Sequence, residues 1–345
     1  MNPRLDLKEF EVVLLIDIYS EEINYLQNEY IQEWESRSSI QILEKTLVSL
    51  GARVKIFEPI FDKERMLKHL CKRIKENKQD KTIIWNLVEG FFSRNREGYV
   101  PSLAEFLGFP FCGSDASAMS ISLDKNLTKK IAIELGIQTP RGILVQNRKE
   151  FISKIQFPVF LKPNGEGSSL GIKENSIIQD NTELRKSLTK AKKEFFPLLL
   201  EKFIEGTDLT LGIIQDRGRI IATNVYEVII PNKVYSDEIK SKGVMTEKLV
   251  LWNDIKSKKI QLDTIKLAER LGVKGYARAD WKLDKKGKPQ FLEINLTPGL
   301  SLEYSSLPIC YGKNKYSKLL KKILESALYE YNNSLSRKYG KLFTK

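Results

Sequence analysis

The sequence predicts a mixed protein, an α/β region followed by α+β subdomains, and two observations carry that expectation. Apolar strands alternate with helical stretches through the first third of the chain, the pattern of a parallel sheet. Near the C-terminus, GYARADWKLDKKGKPQFLEIN reads as a strand at 275–283, a turn at DKKGK and a returning strand at 289–295.

The elements follow in order. FEVVLLIDI at 10–18 reads as a buried strand, a helical stretch runs on to about Leu50, and Gly51 introduces a second strand, ARVKIFE. KTIIWNLVE at 81–89 is a third strand, with a helix around PSLAEFLG, so a parallel α/β region extends to about residue 120. SLDKNLTKKIAIELGIQTP predicts a helix capped by Ser122 or Asp124 and closed at Gly136. FPVFLKPNGEGSSLGI at 157–172 is an apolar strand running into a glycine-rich loop, and PLLLEKFIE at 197–205 is a further strand. Leu319, Leu320, Ile323, Leu324, Ala327 and Leu328 have the spacing of an amphipathic C-terminal helix.

Composition narrows the chemistry. A chain of 345 residues with 41% hydrophobic and 29% charged residues buries a sizeable core and is expected to divide into two or three subdomains. Its net charge is +13, and residues 311–345 hold nine Lys and Arg against two Glu. The bases are scattered lysines and no nucleic-acid-binding motif accompanies them, so nucleic acid is not the expected partner. VVLLI at 12–16 is too short to span a bilayer, and Cys71, Cys112 and Cys310 are too widely spaced for a disulfide framework or a zinc site. A reduced, cytoplasmic setting is expected. The lone histidine, His69, lies in a basic helical stretch, which argues against histidine triads and zinc catalysis.

Two stretches carry chemistry. In the loop after Lys162, Gly165, Gly167 and Gly171 let backbone amides approach an anion, Ser168 and Ser169 add donors, and the lysine adds a point charge. A structural turn would explain the glycines but not the lysine and the paired serines. The loop is neither a Walker sequence nor a dinucleotide fingerprint. In FLEINLTPG at 291–299, strand alternation puts Glu293 and Asn295 on one face, beside Asp280 on the paired strand. Three such oxygen donors suit magnesium, a hard cation that bridges phosphates.

KPNGEGSSLGI, LLLEKFIEG and RADWKLDKKGKPQFLEINLTPGLS, together with NLVEG at 86–90, LGFPFCGSDASAMSISLDKNLTKK at 107–130 and GIQTP at 136–140, resemble in this order the motifs of the ATP-grasp carboxylate–amine ligases, and among them the D-alanine:D-alanine ligases. The resemblance covers roughly residues 80–310. It implies an ATP-grasp fold: an N-terminal α/β domain over 1–120, a central subdomain over 121–208 and a C-terminal antiparallel-sheet subdomain over 209–345. It implies ATP and Mg2+ (or Mn2+), a carboxylate and an amine as small-molecule substrates, and a homodimer.

Site roles follow from the same resemblance. Lys125 and Lys162 would contact ATP phosphates, with Gly167, Ser168 and Ser169 closing over them. Glu201 and Lys202 would line the adenine pocket. Asp208 stands where the family has a glutamate on the ribose, so its reach is shorter. Asp280, Glu293 and Asn295 would hold the metal, while Arg278 and the Gly299 amide would face an oxyanion. Lys240 is a further phosphate candidate, followed by Ser241 where the family commonly places tyrosine.

The substrate side departs from the family pattern. LIDIYSEEINYL and NLVEGFFSRNREG lack the glycine pair and the histidine expected near the first substrate, so that pocket should differ. Glu21 and Glu89 are candidates for an amine contact, and Ser305 or Ser306 for the second substrate's carboxylate. The expected reaction joins an amino acid or similar carboxylate to an amine through an acyl phosphate. The alternatives are a larger peptide or biosynthetic acceptor, and a non-enzymatic ATP- or nucleic-acid-binding protein.

Overall fold

The computed structural model describes residues 6–19, 35–88, 93–150, 155–167, 176–229 and 248–339. Among these, three main sheets carry the architecture. The first is parallel: β1 (Glu11–Ile16), β2 (Arg53–Phe57), β3 (Thr82–Leu87) and β4 (Phe111–Cys112), in the order β2-β1-β3-β4. All six residues of β1 are buried because both faces of the sheet are covered. Val13 and Leu15 meet Met66 and Leu70 of α2 (Pro59–Lys75) and Val100 and Ala104 of α3 (Tyr99–Leu107). Val12 and Leu14 share the opposite core with Leu43 and Leu47 of α1 (Arg37–Ser49). Ser36 caps α1 by accepting a hydrogen bond from the Ser39 amide.

The helix expected to begin at Ser122 or Asp124 is the second of two that abut. Ser122 lies in the last turn of α4 (Ala116–Leu123), bonding back to Met119 O, and Asp124 caps α5 (Lys125–Glu134) by accepting from the Leu127 amide. Gly136, at φ +77°, follows its end.

The second sheet is antiparallel, in the order β5-β8-β6-β7: β5 (Gly142–Val145), β6 (Val159–Pro163), β7 (Ile177–Ile178) and β8 (Leu198–Lys202). Leu184 and Leu188 of α6 (Asn181–Lys190) complete its core. The strand expected over 197–205 stops at Lys202. A new strand, β9 (Gly206–Asp216), starts at a glycine whose backbone passes so close to the Leu283 carbonyl that a Cβ there would sit 1.8 Å from its oxygen.

Strand β9 enters the third sheet with β10 (Arg219–Ala222), β11 (Tyr226–Ile229) and β12 (Lys248–Leu251). After α7 (Ser257–Leu271) come β13 (Tyr276–Asp284) and β14 (Pro289–Asn295), within a residue of the expected hairpin. Its turn is set by Asp284, whose side chain accepts from the Lys286 and Lys288 amides. Ala277, Ala279, Trp281, Phe291 and Ile294 pack from the hairpin onto the helices below. Two helices end the described chain, α8 (Ser306–Tyr311) and α9 (Tyr316–Tyr339). The stripe Leu319, Leu320, Ile323, Leu324 and Ala327 joins the same core as Val12, Leu14 and Trp85 of the first sheet, and Trp85 Nε1 donates to the Tyr276 hydroxyl at 3.1 Å. None of the described helices is long and apolar enough to cross a membrane.

Candidate active site

The polar face of the third sheet is the floor of the site. Strand registry sets Asp208 opposite Lys282, Thr210 opposite Asp280 and Gly212 opposite Arg278, while Asp280 faces Glu293 and Arg278 faces Asn295 on the other side. Alternation turns Arg278, Asp280 and Lys282 to this face and buries Ala277, Ala279 and Trp281. Registry slips directly after Asp280, so that Trp281 pairs with Phe291 and Leu292 is the extra residue. The carboxylate pair therefore sits beside an irregularity of the kind that re-aims side chains.

Each expected metal ligand has a partner of its own. Arg278 grips Asp280 with its fork, Nε to Oδ1 at 3.1 Å and Nη2 to Oδ2 at 2.8 Å, and Thr210 Oγ1 donates to Asp280 Oδ1 at 2.8 Å. Lys125 Nζ lies 3.4 Å from Glu293. Burial alone would raise the Glu293 carboxyl, but Lys125, Lys162 and Arg278 outweigh it and bring it down to about 2. Asn295 Oδ1 accepts from the Thr297 amide at 2.8 Å, opening the turn that leads to Pro298-Gly299. Two opposed carboxylates plus one amide oxygen fit a hard cation whose remaining ligands would be phosphate oxygens and water.

The glycine loop is drawn over this floor from two sides. Lys125 Nζ donates to Glu166 O, and its amide donates to Asn164 O at 3.1 Å. Arg96, which the sequence did not single out, is buried and donates to Gly165 O at 2.9 Å and Glu166 Oε2 at 2.8 Å. Glu97, Lys125, Gly167, Glu293 and Asn295 consequently line one cleft. Ser168, Ser169, Lys240, Glu21 and Glu89 lie outside the described residues.

Glu201, expected at the adenine pocket, is buried between two lysines. Lys162 Nζ reaches Oε1 at 2.8 Å, and Lys129, a second residue the sequence did not single out, closes on Oε2. Burial pushes the Glu201 carboxyl up, but the two ammonium groups together hold it below its ordinary value. Lys202 is exposed, with its amide bonded to Arg141 O at 2.9 Å. Asp208 accepts from Lys282 Nζ with both oxygens at 2.9 Å, so a ribose contact there would share this carboxylate with a lysine.

Gly299 is hemmed in. A Cβ on it would lie 2.6 Å from Ser305 Oγ and 3.1 Å from Glu35 Oε1, so this turn accepts no side chain without displacement. Ser305 Oγ accepts from the Ser301 amide at 3.1 Å, and Ser306 is the first residue of α8. The acid beside the turn is thus Glu35, at the entry to α1. Its Oε2 accepts from the Tyr304 hydroxyl at 2.6 Å, and Ser39 Oγ donates to the same hydroxyl at 3.2 Å. Burial raises the Glu35 carboxyl, with partial relief from Tyr304 and the Leu300 amide. Among the described residues no lysine or arginine forms an ion pair with it.

The family model for the C-terminus of D-ala D-ala ligase matches residues 139–325. A D-alanine–D-alanine ligase from Aquifex aeolicus is 35% identical over 267 residues, covering 77% of this chain and 85% of that protein. One from Pelagibacter ubique is 31% identical, covering 74% and 81%. Among solved structures, the Bacillus anthracis D-alanine–D-alanine ligase complexed with ATP superposes with a TM-score of 0.68 at 21% identity, over 94% of this chain and 99% of that one. The Coxiella burnetii enzyme gives 0.69 at 18% identity, over 96% and 98%. These two likenesses speak for the fold, which is ATP-grasp.

Proposed function

Because the chain belongs to the D-alanine–D-alanine ligase family of ATP-dependent carboxylate–amine ligases, we propose that it joins the carboxyl group of one amino acid to the amine of a second, with the donor's own ammonium resting on Glu35. The observation that carries this reading is the Glu35 carboxylate beside Gly299. It is desolvated, holds hydrogen bonds but no cationic partner among the described residues, and lies against the Gly299 turn, where a Cβ on the glycine would come 3.1 Å from its Oε1. A desolvated carboxylate without a counter-ion favours a ligand that brings one. In this reading the amine contact passes from Glu21 and Glu89 to Glu35, and the first-substrate pocket takes its own form with Tyr304 as one wall.

The remaining roles are part of the same proposal. A carboxylate is a poor electrophile, so ATP would first pass its γ-phosphoryl group to it and leave as ADP; the amine would then attack the acyl phosphate, losing a proton and expelling inorganic phosphate as the C–N bond forms. Asp280, Glu293 and Asn295 would hold magnesium, which when bound would supply positive charge against the phosphoryl group being transferred. Lys125 and Lys162 present positive charge to the phosphates, and Ser168, Ser169 and Lys240 belong to the segments that would cover them. Glu201, Lys202 and Asp208 serve the base and ribose. Arg278 and the Gly299 amide stabilise the developing oxyanion, and Ser305 or Ser306 receives the acceptor's carboxylate. This route needs no protein nucleophile. In keeping with it, burial pushes the Cys310 thiol up to about 12, and His69 is engaged with Glu11 at 2.7 Å on the N-terminal sheet.

The test is ATP-dependent phosphate release across L- and D-amino acids, singly and in pairs, with mass spectrometry of active mixtures. A product one water lighter than the summed pair is expected. Silence across the panel, with ATP still bound, would overturn the amino-acid reading in favour of a larger acceptor.

A further inference from the structure

Lys129, Glu201 and Lys162 form a line of three buried charges reaching from α5 across β8 to β6. The two ammonium groups divide one carboxylate, Lys162 on Oε1 and Lys129 on Oε2, which leaves the cluster with one excess positive charge. Their surroundings differ. Lys162 feels Glu201 first and then Glu293 and Asp280, so it stands between the buried cluster and the carboxylates of the sheet floor. Lys129 has Glu201 as its main attraction and Lys162 as a repelling neighbour, with Glu293 a weaker pull. Burial and that arrangement push Lys129 down to about 8, whereas the acidic groups around Lys162 raise it despite equal burial.

A buried carboxylate left without a cation is costly. If Lys162 were the sole partner of Glu201, moving its charge toward an incoming phosphate would strand that carboxylate. We propose that Lys129 is a positioning residue, the standing counter-ion of Glu201, whose presence frees Lys162 to turn its charge onto the polyphosphate of the nucleotide. The inference rests on the reading of Lys162 as a phosphate contact. It assigns Lys129 no contact with substrate; it acts through its neighbour. Lys125 and Lys129 are four residues apart on α5, so one helix face carries both a lysine of the cleft and the lysine that balances the buried acid.

The experiment is calorimetric titration of ADP, a non-hydrolysable ATP analogue and adenosine into the full chain. It compares wild type with K129M, K129R, K162M, E201Q and K129M/E201Q. Expected are a tenfold or greater loss of ADP and triphosphate affinity in K129M, less than a twofold change for adenosine, and recovery to within threefold in K129R. With the carboxylate removed there is nothing to hold Lys162 back, so K129M/E201Q should bind ADP within twofold of E201Q. That comparison serves if K129M alone does not fold. Wild-type ADP affinity in K129M, equal losses for ADP and adenosine, or a tenfold gap between E201Q and the double variant would each overturn the inference. If K162M keeps wild-type affinity for ADP and the triphosphate, the phosphate role of Lys162 itself fails, a separate result.

Discussion

Asp280 and Glu293 stand opposite one another on paired antiparallel strands, one residue before the registry of the hairpin slips. Their side chains share a face, and each already meets a cation of the chain, Arg278 for Asp280 and Lys125 for Glu293. E293Q keeps the shape and removes the charge. ADP formation should fall about 100-fold or more, the scale on which single electrostatic partners of a transition state act, while the circular dichroism spectrum stays that of the wild type. Turnover within threefold of wild type would remove Glu293 from the metal set.

Glu35 gives a pH prediction. Burial lifts its carboxyl above the ordinary value of 4.5 in the folded chain. The folded state therefore holds this proton more tightly than the unfolded one, and the group's contribution to stability is full below 4.5 and lost as pH rises through the raised folded value. E35Q should melt higher than wild type at pH 8, with the gap closing toward pH 5, while losing ligase activity on amino-acid donors. Calorimetric melts at the two pH values check the first part. A gap that widens toward acid would reverse the assignment.

At Gly299 the constraint is steric. G299A introduces a Cβ 2.6 Å from Ser305 Oγ, so either the turn or the serine must move. Overpacking of this kind costs about 1–3 kcal/mol, and the displaced amide should lower kcat with little change in ADP affinity. G299A/S305A should recover part of the stability, measured by urea unfolding. Equal stability of G299A and wild type would show that the turn has slack.

Arg96 and Glu166 form an ion pair with 7% and 13% of their side chains exposed. R96M removes a buried charged donor from Glu166 Oε2 and from the Gly165 carbonyl and loosens the glycine loop, with a cost of about 1–3 kcal/mol, the scale of losing a buried hydrogen-bond partner. R96M/E166Q should be milder. Urea unfolding measures the cost, and a rise in KM for ATP without a matching fall in kcat would report the loosened loop. Unfolding midpoints that coincide for R96M and wild type would mean that water satisfies both groups.

What could be read from the chain alone follows physical range. The β13–β14 hairpin was legible because alternation of Arg278, Asp280 and Lys282 with Ala277, Ala279 and Trp281 is a local, period-two signal, and Asp284 and Gly287 mark its turn. The choice between Ser122 and Asp124 stayed open because two helices abut, and either residue type can cap. Glu35, the amine contact proposed above, gives no local sign in the sequence because its partner Tyr304 is 269 positions away. Lys129 reads as a solvated lysine within TKKIA until Glu201 is brought beneath it. Its one local sign was its place four residues after Lys125, on the same helix face.

The last helix has a consequence for how the molecule is made. Residues of α9 complete the core of the first sheet, so Leu319, Leu320, Ile323 and Leu324 come to lie against strands translated well before them. At ordinary synthesis rates the N-terminal sheet, whose last strand ends at Cys112, would wait roughly 10 to 40 seconds, with one face covered only in part by α1, for the segment that seals it. Until then Val12, Leu14 and Ile83 present an apolar surface of the kind that holdase chaperones engage. The nascent chain should accordingly stay protease-sensitive until the segment carrying α9 clears the ribosome exit tunnel.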